Sequence, residues 1–262
     1  MKLFDRLEDA TNAKNVVWVG YDPAEDSAAK MFAHSIRSRT NMKDLKIIPI
    51  IRDELLAHDI CNRPIDPNGS TQFSITRFMV PHLMNYTGTG IFFDCDMLIT
   101  RDIQEMFDLV DTNYAVQLCK HDYTPSSENK MGGLPQTAYP RKNWSAVTIY
   151  NCDHTSTQKL TDDVVEKESP KYLHRYEWLE DDEIGGLPLE FNFLVGEMSW
   201  DTNNKTELPF NVHHTLGPPN LWWEQRDAEY SAYWLSEFKA CFGRDFNPKL
   251  DSINYTDLVD NA

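Results

Sequence analysis

The sequence is short of positive charge: its 262 residues contain 25 lysines and arginines against 41 aspartates and glutamates, a formal net charge of −16 at pH 7. Such an acidic chain repels phosphate groups, so we do not expect it to bind nucleic acid or anionic lipid through a basic face. Disorder is also excluded, because 41% of the residues are hydrophobic and 12% are aromatic. Most of the carboxylates are expected to be solvated, and only position can single out the functional ones.

Paired cysteines and long apolar runs are also lacking. The cysteines are odd in number, widely spaced and without a C-x-x-C pair, so they fit neither a disulfide framework nor a zinc finger. The amino-terminal segment is too acidic for a signal peptide. The longest apolar run near it, Val16–Val19, is far below the roughly 20 residues that span a bilayer. We therefore predict a soluble, cytoplasmic protein with no transmembrane segment, and peripheral membrane contact stays open.

What the sequence does contain is a strand–helix–strand opening. Asn15–Tyr21 is a β-branched apolar run typical of a buried strand, and Asp26–Arg39 has apolar residues at helical spacing. Lys46–Ile51 is a second strand, whose proline indicates either the edge of the sheet or the end of the strand. This succession predicts an α/β fold with a largely parallel sheet. Further helices are expected at Ser74–Asn85, Ile103–Leu109, Lys171–Glu183 and Ala228–Phe242, and further strands at Gly90–Cys95, Tyr114–Cys119 and Ser145–Tyr150.

Two segments lack such periodicity. The polar segment 120–142 contains several glycines and prolines, and unstructured stretches longer than about 12–15 residues are usually functional loops or lids. The segment 208–220 is expected to be irregular, and Gly185 and Gly186 are expected to break the preceding helix.

Asp94 and Asp96 follow an apolar strand and are separated by Cys95. On a strand, residues two apart point to the same face, so we expect both carboxylates on one side and the thiol on the other. The carboxyl ends of strands are where ligand sites of open α/β sheets lie. Two such carboxylates repel unless a cation lies between them, and hard oxygen ligands suit Mg²⁺ or Mn²⁺. The alternative is a chance D-x-D in an acidic chain, although an acid directly after an apolar strand needs a partner for its charge.

Several segments that follow one another along the chain carry a further pattern; they are Ile75–Pro81, Asp94–Ile103, Asn143–Asn151 and His213–Pro219. Together they resemble the glycosyltransferases that include glycogenin and the bacterial lipopolysaccharide galactosyltransferases. The strings Tyr139–Trp144 and His213–Pro219 are more closely similar to small bacterial and viral glycosyltransferase-like proteins. The resemblance implies a single GT-A (Rossmann-like) domain with a mixed, mainly parallel sheet flanked by helices. Within 1–262, it implies a nucleotide-binding half (1–120), a donor-sugar and acceptor half (121–227), and a C-terminal helix and tail (228–262).

The same resemblance implies a divalent metal that holds the diphosphate of a nucleotide-sugar donor. Asp94, Asp96 and His213 would be its protein ligands, and an imidazole beside carboxylates favours Mn²⁺ over Mg²⁺. The metal would act as a Lewis acid while the nucleoside diphosphate leaves. The alternative for the histidine is a loop residue bonded to backbone. His214 replaces the usual aromatic residue, and its role stays open.

Donor contacts are implied at the end of the first strand. Gly20, Tyr21 and Asp22 would bind the nucleoside, with the phenol ring stacked on the base and the carboxylate accepting from a ring N–H. The alternatives are that Tyr21 covers the core and that Asp22 caps the following helix. Arg77 matches an arginine that pairs with donor phosphate or sugar hydroxyl groups, and a surface salt bridge is its alternative.

Cys95 and Gly217 lie in the matched segments and are also predicted donor contacts. Pro218 stands where the family has a glycine, which weakens the expectation that backbone amides of this loop cradle phosphate. Lys130, Arg141 and Lys142 flank or lie in the long loop and are expected either to close on the diphosphate or to face solvent.

Glu180–Ile184 resembles the acidic turn of the same family. Asp181 would then hold the donor sugar, and Asp182 would lie nearest the reacting carbon. A carboxylate there stabilises or attacks oxocarbenium-like charge. The alternative is a solvated acidic helix end.

The preferred function is that of a metal-dependent hexosyltransferase. It would move a hexose from a nucleotide sugar, with a UDP-sugar favoured, to a glycan or other hydroxyl acceptor, and retention of stereochemistry rests on family analogy. A sugar nucleotidyltransferase is disfavoured, because residues 22–26 contain no lysine or arginine where that class has a glycine-rich basic loop. A non-catalytic carbohydrate- or partner-binding module is the third hypothesis, and the retained Asp94, Asp96 and His213 count against it.

Overall fold

The computed structural model describes residues 2–11, 13–65, 69, 71–122, 141, 143–201, 208–218, 227–247 and 251. Most of the segment 120–142 lies outside these ranges, and Lys130, Lys142 and the beginning of the string Tyr139–Trp144 lie outside them with it. The end of the segment His213–Pro219 and the tail beyond residue 251 are outside them too.

Short strands alternate with short helices along the described chain. The strands are β1 (Asn15–Gly20), β2 (Lys46–Ile50), β3 (Thr89–Phe93), β4 (Met97–Ile99), β5 (Val116–Leu118), β6 (Val147–Asn151), β7 (Ile184–Gly186), β8 (Phe193–Leu194) and β9 (Asn211–His213). The helices are α1 (Asp26–Arg37), α2 (Arg52–Ala57), α3 (Val80–Leu83), α4 (Gln104–Phe107), α5 (Asp162–Lys167), α6 (Pro170–His174) and α7 (Ser231–Phe242).

The larger sheet has six strands in the order β2-β1-β3-β6-β5-β7. All of them run in one direction except β6, which is antiparallel to both of its neighbours. The apolar runs of β1 and β3 lie at its centre and are almost wholly buried. Pro49 is in β2, at the edge of the sheet, where its missing N–H breaks no ladder. The predicted mixed, mainly parallel α/β sheet is confirmed.

A second sheet of three strands, β4-β9-β8, lies beside the end of β3. β4 pairs antiparallel with β9, and β8 pairs parallel with β9, so His213 lies opposite both Met97 and Leu194. The prediction that residues 208–220 are irregular was therefore wrong for Asn211–His213. Three residues are too few to show a period of two, and these three become a strand only through partners that are distant in sequence.

The helical predictions were accurate for α1 and α7 and wrong for the segment Lys171–Glu183. Helix α6 ends at His174, and the chain leaves it through Tyr176, whose φ is +52° and whose ring is fully buried. Burial of this aromatic ring stabilises the turn over a continued helix. The segment Ser74–Asn85 likewise divides into a 3-10 turn and the short α3.

Gly185 and Gly186 were predicted to break a helix, but they form strand β7. A Cβ on Gly185 would come within 2.6 Å of the ring of Tyr114 and 2.7 Å of the side chain of Gln117. The absent side chain thus leaves room for the side chains of Tyr114 and Gln117 to pack against β7. No helix within the described ranges is long and apolar enough to cross a membrane.

Gly90, in the central strand β3, is expected to tolerate no side chain. A Cβ there would lie 2.6 Å from Cγ1 of Val80 and 3.2 Å from Nε1 of Trp18, so Gly90→Ala should lower the free energy of unfolding by about 1–3 kcal/mol through overpacking. Urea unfolding of the purified variant measures this change.

Gly186→Ala is the matched control, because it is also a strand glycine but a Cβ there meets nothing within 4 Å. Its unfolding midpoint should stay close to that of the parent chain. Equal destabilisation by the two substitutions would contradict the packing argument.

Candidate functional site

The carboxylates of Asp94 and Asp96 lie where β3 ends, although not on the strand itself. The strand stops at Phe93 and the chain bends through residues 94–96 into β4. The N–H of Asp94 donates to the carbonyl oxygen of Ala146 at 3.0 Å, and the carbonyl oxygen of Asp96 accepts from the N–H of His214 at 3.0 Å. The two acids do not lie on a strand, so the alternation of side chains along a strand, which was the predicted reason for their shared side, does not apply. They converge because backbone bonds to two other segments fix the bend.

Asp94, Asp96 and His213 form a carboxylate–histidine triad in which one possible ligand atom from each lies within 4.8 Å of the others. Nε2 of the histidine is 3.3 Å from Oδ1 of Asp96. The Oδ1 atoms of both aspartates are buried and accept no well-directed hydrogen bond from the described residues. Two carboxylates and an imidazole with lone pairs left over are a donor set that suits a divalent cation such as Mn²⁺ or Mg²⁺.

The electrostatics of the triad also favour a cation. Burial raises the pKa of Asp94 to about 6; Arg77 opposes this rise, and the charge of Asp96 adds to it. For His213, burial alone lowers the pKa, but the adjacent Asp96 and Asp94 carboxylates outweigh it, and the pKa is raised. The rise for Asp94 thus reflects burial and its neighbouring acid, and the rise for His213 reflects attraction to both carboxylates; a bound cation would offset the negative charge that contributes to both shifts.

Arg77 is held against the triad from inside the protein. Its Nη1 lies 2.8 Å from Oδ1 of Asp94, and the same atom donates to the carbonyl oxygen of Ser145 at 3.0 Å. The guanidinium also lies over the ring of Phe92, at 5.0 Å from its centroid, and only 6% of the residue is exposed. The alternative of a surface salt bridge is therefore wrong, and contact with a donor stays a prediction.

The two residues that follow β1 use their side chains in hydrogen bonds within the protein. The carboxylate of Asp22 accepts from the N–H groups of Ala24 and Gln72, each at 2.9 Å, so it caps the turn that follows. The hydroxyl of Tyr21 donates to Asp26 at 2.9 Å. Burial and this hydrogen bond raise the pKa of Tyr21 to about 12. Contact of these residues with a nucleoside stays a prediction.

Gly20 has a packing role in the structure. A Cβ at this position would lie 2.5 Å from the ring of Phe73. Its predicted contact with a nucleoside is likewise untested.

Glu25 is a buried acid behind the triad that the sequence did not single out. It accepts from the thiol of Cys95 at 2.6 Å. Burial, and then the charge of Asp96, raise the pKa of Glu25 well above its usual range. The thiol of Cys95 therefore faces this carboxyl group, and its predicted contact with a donor is untested. In sequence, nothing distinguishes Glu25 from the other acids of its turn.

Asn192 is a second residue that sequence analysis missed. Its Oδ1 lies 2.7 Å from Nδ1 of His213, and its amide nitrogen donates to the carbonyl oxygen of Asn143 at 3.1 Å. In the sequence, Asn192 stands out only as a polar residue between Phe191 and Phe193. That pattern indicates a buried polar side chain but does not show that it contacts His213.

The loop after β9 places two of the residues named from sequence. His214 is buried, burial lowers its pKa to about 4, and its Nε2 makes no hydrogen bond to the described residues. Gly217 has a φ of +90°, and its N–H donates to the carbonyl oxygen of His214 at 2.8 Å. Glycine suits this left-handed turn, and its predicted role in donor binding is untested.

Asp181 and Asp182 lie outside the group of described residues whose possible ligand atoms cluster at the triad. They lie in a 3-10 turn before β7, whereas Asp94 follows β3, and the two strands run in the same direction. Asp181 and Asp182 therefore precede β7, whereas Asp94 and Asp96 follow β3. Strands β6 and β5 lie between β3 and β7 in the sheet. Asp181 is 87% exposed and pairs with Arg141; Asp182 is exposed and has no ion pair or hydrogen bond to the described residues. Their catalytic roles stay a prediction.

Comparison with solved structures identifies the fold. The Streptococcus pneumoniae glycosyltransferase GlyE superposes with a TM-score of 0.57 at 15% identity, over 87% of this chain and 60% of that chain. The galactosyltransferase LgtC, in complex with donor and acceptor sugar analogs, gives a TM-score of 0.53 at 11% identity, over 86% and 95% of the two chains. These likenesses confirm the expected GT-A glycosyltransferase fold. The chain thus spans about 60% of GlyE, and the likeness to small bacterial and viral proteins stays a prediction.

Sequence comparison identifies a relative. No family model matches the chain. Protein CDI of Arabidopsis thaliana is 42% identical over 224 residues, which are 85% of this chain and 85% of the relative. At that identity and coverage the chain belongs to the family of protein CDI.

Proposed function

We propose that the chain is a metal-dependent glycosyltransferase that moves a hexose from a nucleotide sugar to a hydroxyl group of an acceptor. The observation that carries this proposal is the triad of Asp94, Asp96 and His213 at the carboxyl edge of a sheet with a glycosyltransferase fold. A UDP-sugar is the favoured donor, a glycan is the favoured acceptor, and retention is the favoured outcome. The neighbour LgtC was solved with donor and acceptor sugar analogs, which supports this substrate class.

The triad residues would hold the cation through two carboxylates and Nε2 of the imidazole, and Mn²⁺ suits this mixed set better than Mg²⁺. When bound, a divalent cation supplies Lewis-acid stabilisation of the departing nucleoside diphosphate. Arg77 orients Asp94 from the protein side and opposes the rise of its pKa, because its guanidinium contacts the carboxylate at 2.8 Å. Buried Phe73 and Phe92, over which this guanidinium lies, limit its movement.

The cytoplasm is the compartment that we propose. All five cysteines are free, and four of them are buried. Free thiols fit a reducing environment.

Binding of a nucleoside diphosphate is expected to require the metal. At one hundred times the dissociation constant, a ligand of the folded state adds about 2.7 kcal/mol to the free energy of unfolding, which raises the melting temperature by several degrees. We expect Mn²⁺ and UDP together, but not UDP alone, to produce this shift, and Asp96→Asn to abolish it. Thermal unfolding with UDP, GDP and dTDP measures the effect and identifies the base.

Asp153→Asn is the control, because Asp153 is exposed and accepts from the N–H of Gly88 at the opposite edge of the sheet. It should keep the full shift. Failure of every nucleoside diphosphate to stabilise the parent chain, with metal present, would overturn the proposed donor class.

Asp182 is expected to act in turnover rather than in donor binding, as the resemblance of Glu180–Ile184 to the acidic turn implies. Asp182→Ala should therefore lower metal-dependent donor hydrolysis at least about tenfold while nucleotide affinity stays unchanged, whereas Asp94→Asn should lower both. Release of nucleoside diphosphate from a sugar nucleotide measures the rates. An equal loss of turnover and of nucleotide affinity in Asp182→Ala, or no loss of turnover, would overturn this catalytic role.

A further inference from the structure

The side chain of Asn192 links His213 of the triad to the backbone carbonyl group of Asn143. Its side chain is fully buried and lies between Nδ1 of His213, at 2.7 Å, and the carbonyl oxygen of Asn143, at 3.1 Å. Asn143 itself has a left-handed backbone conformation, with φ of +61°, at the turn before β6. The two contacts use both ends of one amide group.

The chemistry of these contacts determines which way the amide faces. The carbonyl oxygen of Asn143 only accepts, so the NH₂ group of Asn192 must face it. The oxygen of Asn192 then faces Nδ1 of His213, and a hydrogen bond forms there only if Nδ1 carries a proton. The orientation of a buried amide thus sets the protonation of one nitrogen of the imidazole.

The other nitrogen of the same ring points into the triad. Nε2 lies 3.3 Å from Oδ1 of Asp96, a carboxylate that would itself attract a proton to Nε2. Asn192 and Asp96 therefore compete for the proton of a neutral ring. With a proton held on Nδ1, only Nε2 has a lone pair available for a cation.

We propose that Asn192 is a positioning residue that keeps a proton on Nδ1 of His213 and thereby presents Nε2 as the metal-ligating atom. The inference rests on the proposed function, because it assumes the metal role of the triad. The three-stranded sheet brings Asn192 to His213. Asn192 directly precedes β8, and Leu194 of β8 pairs with His213 on β9. The side-chain contact and the strand pairing therefore form together.

The direct test is the affinity for Mn²⁺ alone, measured by calorimetry without any nucleotide or turnover. Loss of the partner that orients a ligating histidine typically weakens metal binding about 10–100-fold, which is the loss expected for Asn192→Leu. Asn192→Asp keeps an oxygen facing Nδ1 but sets its second oxygen against the carbonyl oxygen of Asn143, so it should recover only part of this affinity.

Asn211→Leu is the matched control. Asn211 is an equally buried asparagine of β9, and its amide nitrogen donates to the carbonyl oxygen of Phe191 and to the sulfur of Met97, not to His213. It should keep the parent affinity. Equal losses in the two leucine variants would overturn the role of Asn192, whereas a parent chain that binds no Mn²⁺ would overturn the metal site itself.

A second measurement does not depend on metal binding or on folding of the variant. Nitrogen-15 NMR of the imidazole in the metal-free parent chain shows which ring nitrogen carries a proton. At a pH high enough for the ring to be neutral, we expect the proton on Nδ1 and not on Nε2, both before and after addition of diamagnetic Mg²⁺. A neutral ring protonated on Nε2 alone would overturn the proposal, whatever the calorimetry shows.

Discussion

Repulsion between the carboxylates of Asp94 and Asp96 is the constraint on which the centre of this structure depends. The two side chains are held in one bend, beside a third buried acid, Glu25. Arg77 approaches one aspartate from the core and His213 approaches the other from the small sheet. The arrangement is stable only because each acid has a positively charged or protonated neighbour, and those neighbours come from distant parts of the chain.

The three-stranded sheet buries apolar surface, and it also brings His213 to the two carboxylates. Strand β9 is only three residues long, yet its pairing with β4 places His213 next to the bend. Its pairing with β8 places Asn192 behind the same histidine. The backbone of the small sheet thus determines the geometry of the triad, and the side chains complete it.

Sequence reasoning predicted the parts of the fold that repeat locally. Strands β1, β2 and β3 and helix α1 were located within one or two residues, because apolar periodicity over five or more residues reports burial directly. Asp94 and Asp96 were predicted from their position after an apolar strand, and His213 was predicted from a resemblance that covers most of the chain. Asn192 and Glu25 were missed for a physical reason: both act through contacts with residues at least 20 positions away, and such contacts leave no local pattern.

The acidity of the chain and the proposed anionic donor conflict unless charge is supplied at the site. The positive charge of Arg77 is not available to a donor, because its guanidinium already contacts Asp94 and the carbonyl oxygen of Ser145. A diphosphate that approached the two aspartates alone would meet like charge in a partly buried setting, where screening by water is weak. A divalent cation on the triad would reverse the sign of the local potential, so the same carboxylates that repel the proposed donor in its absence would hold it through the metal.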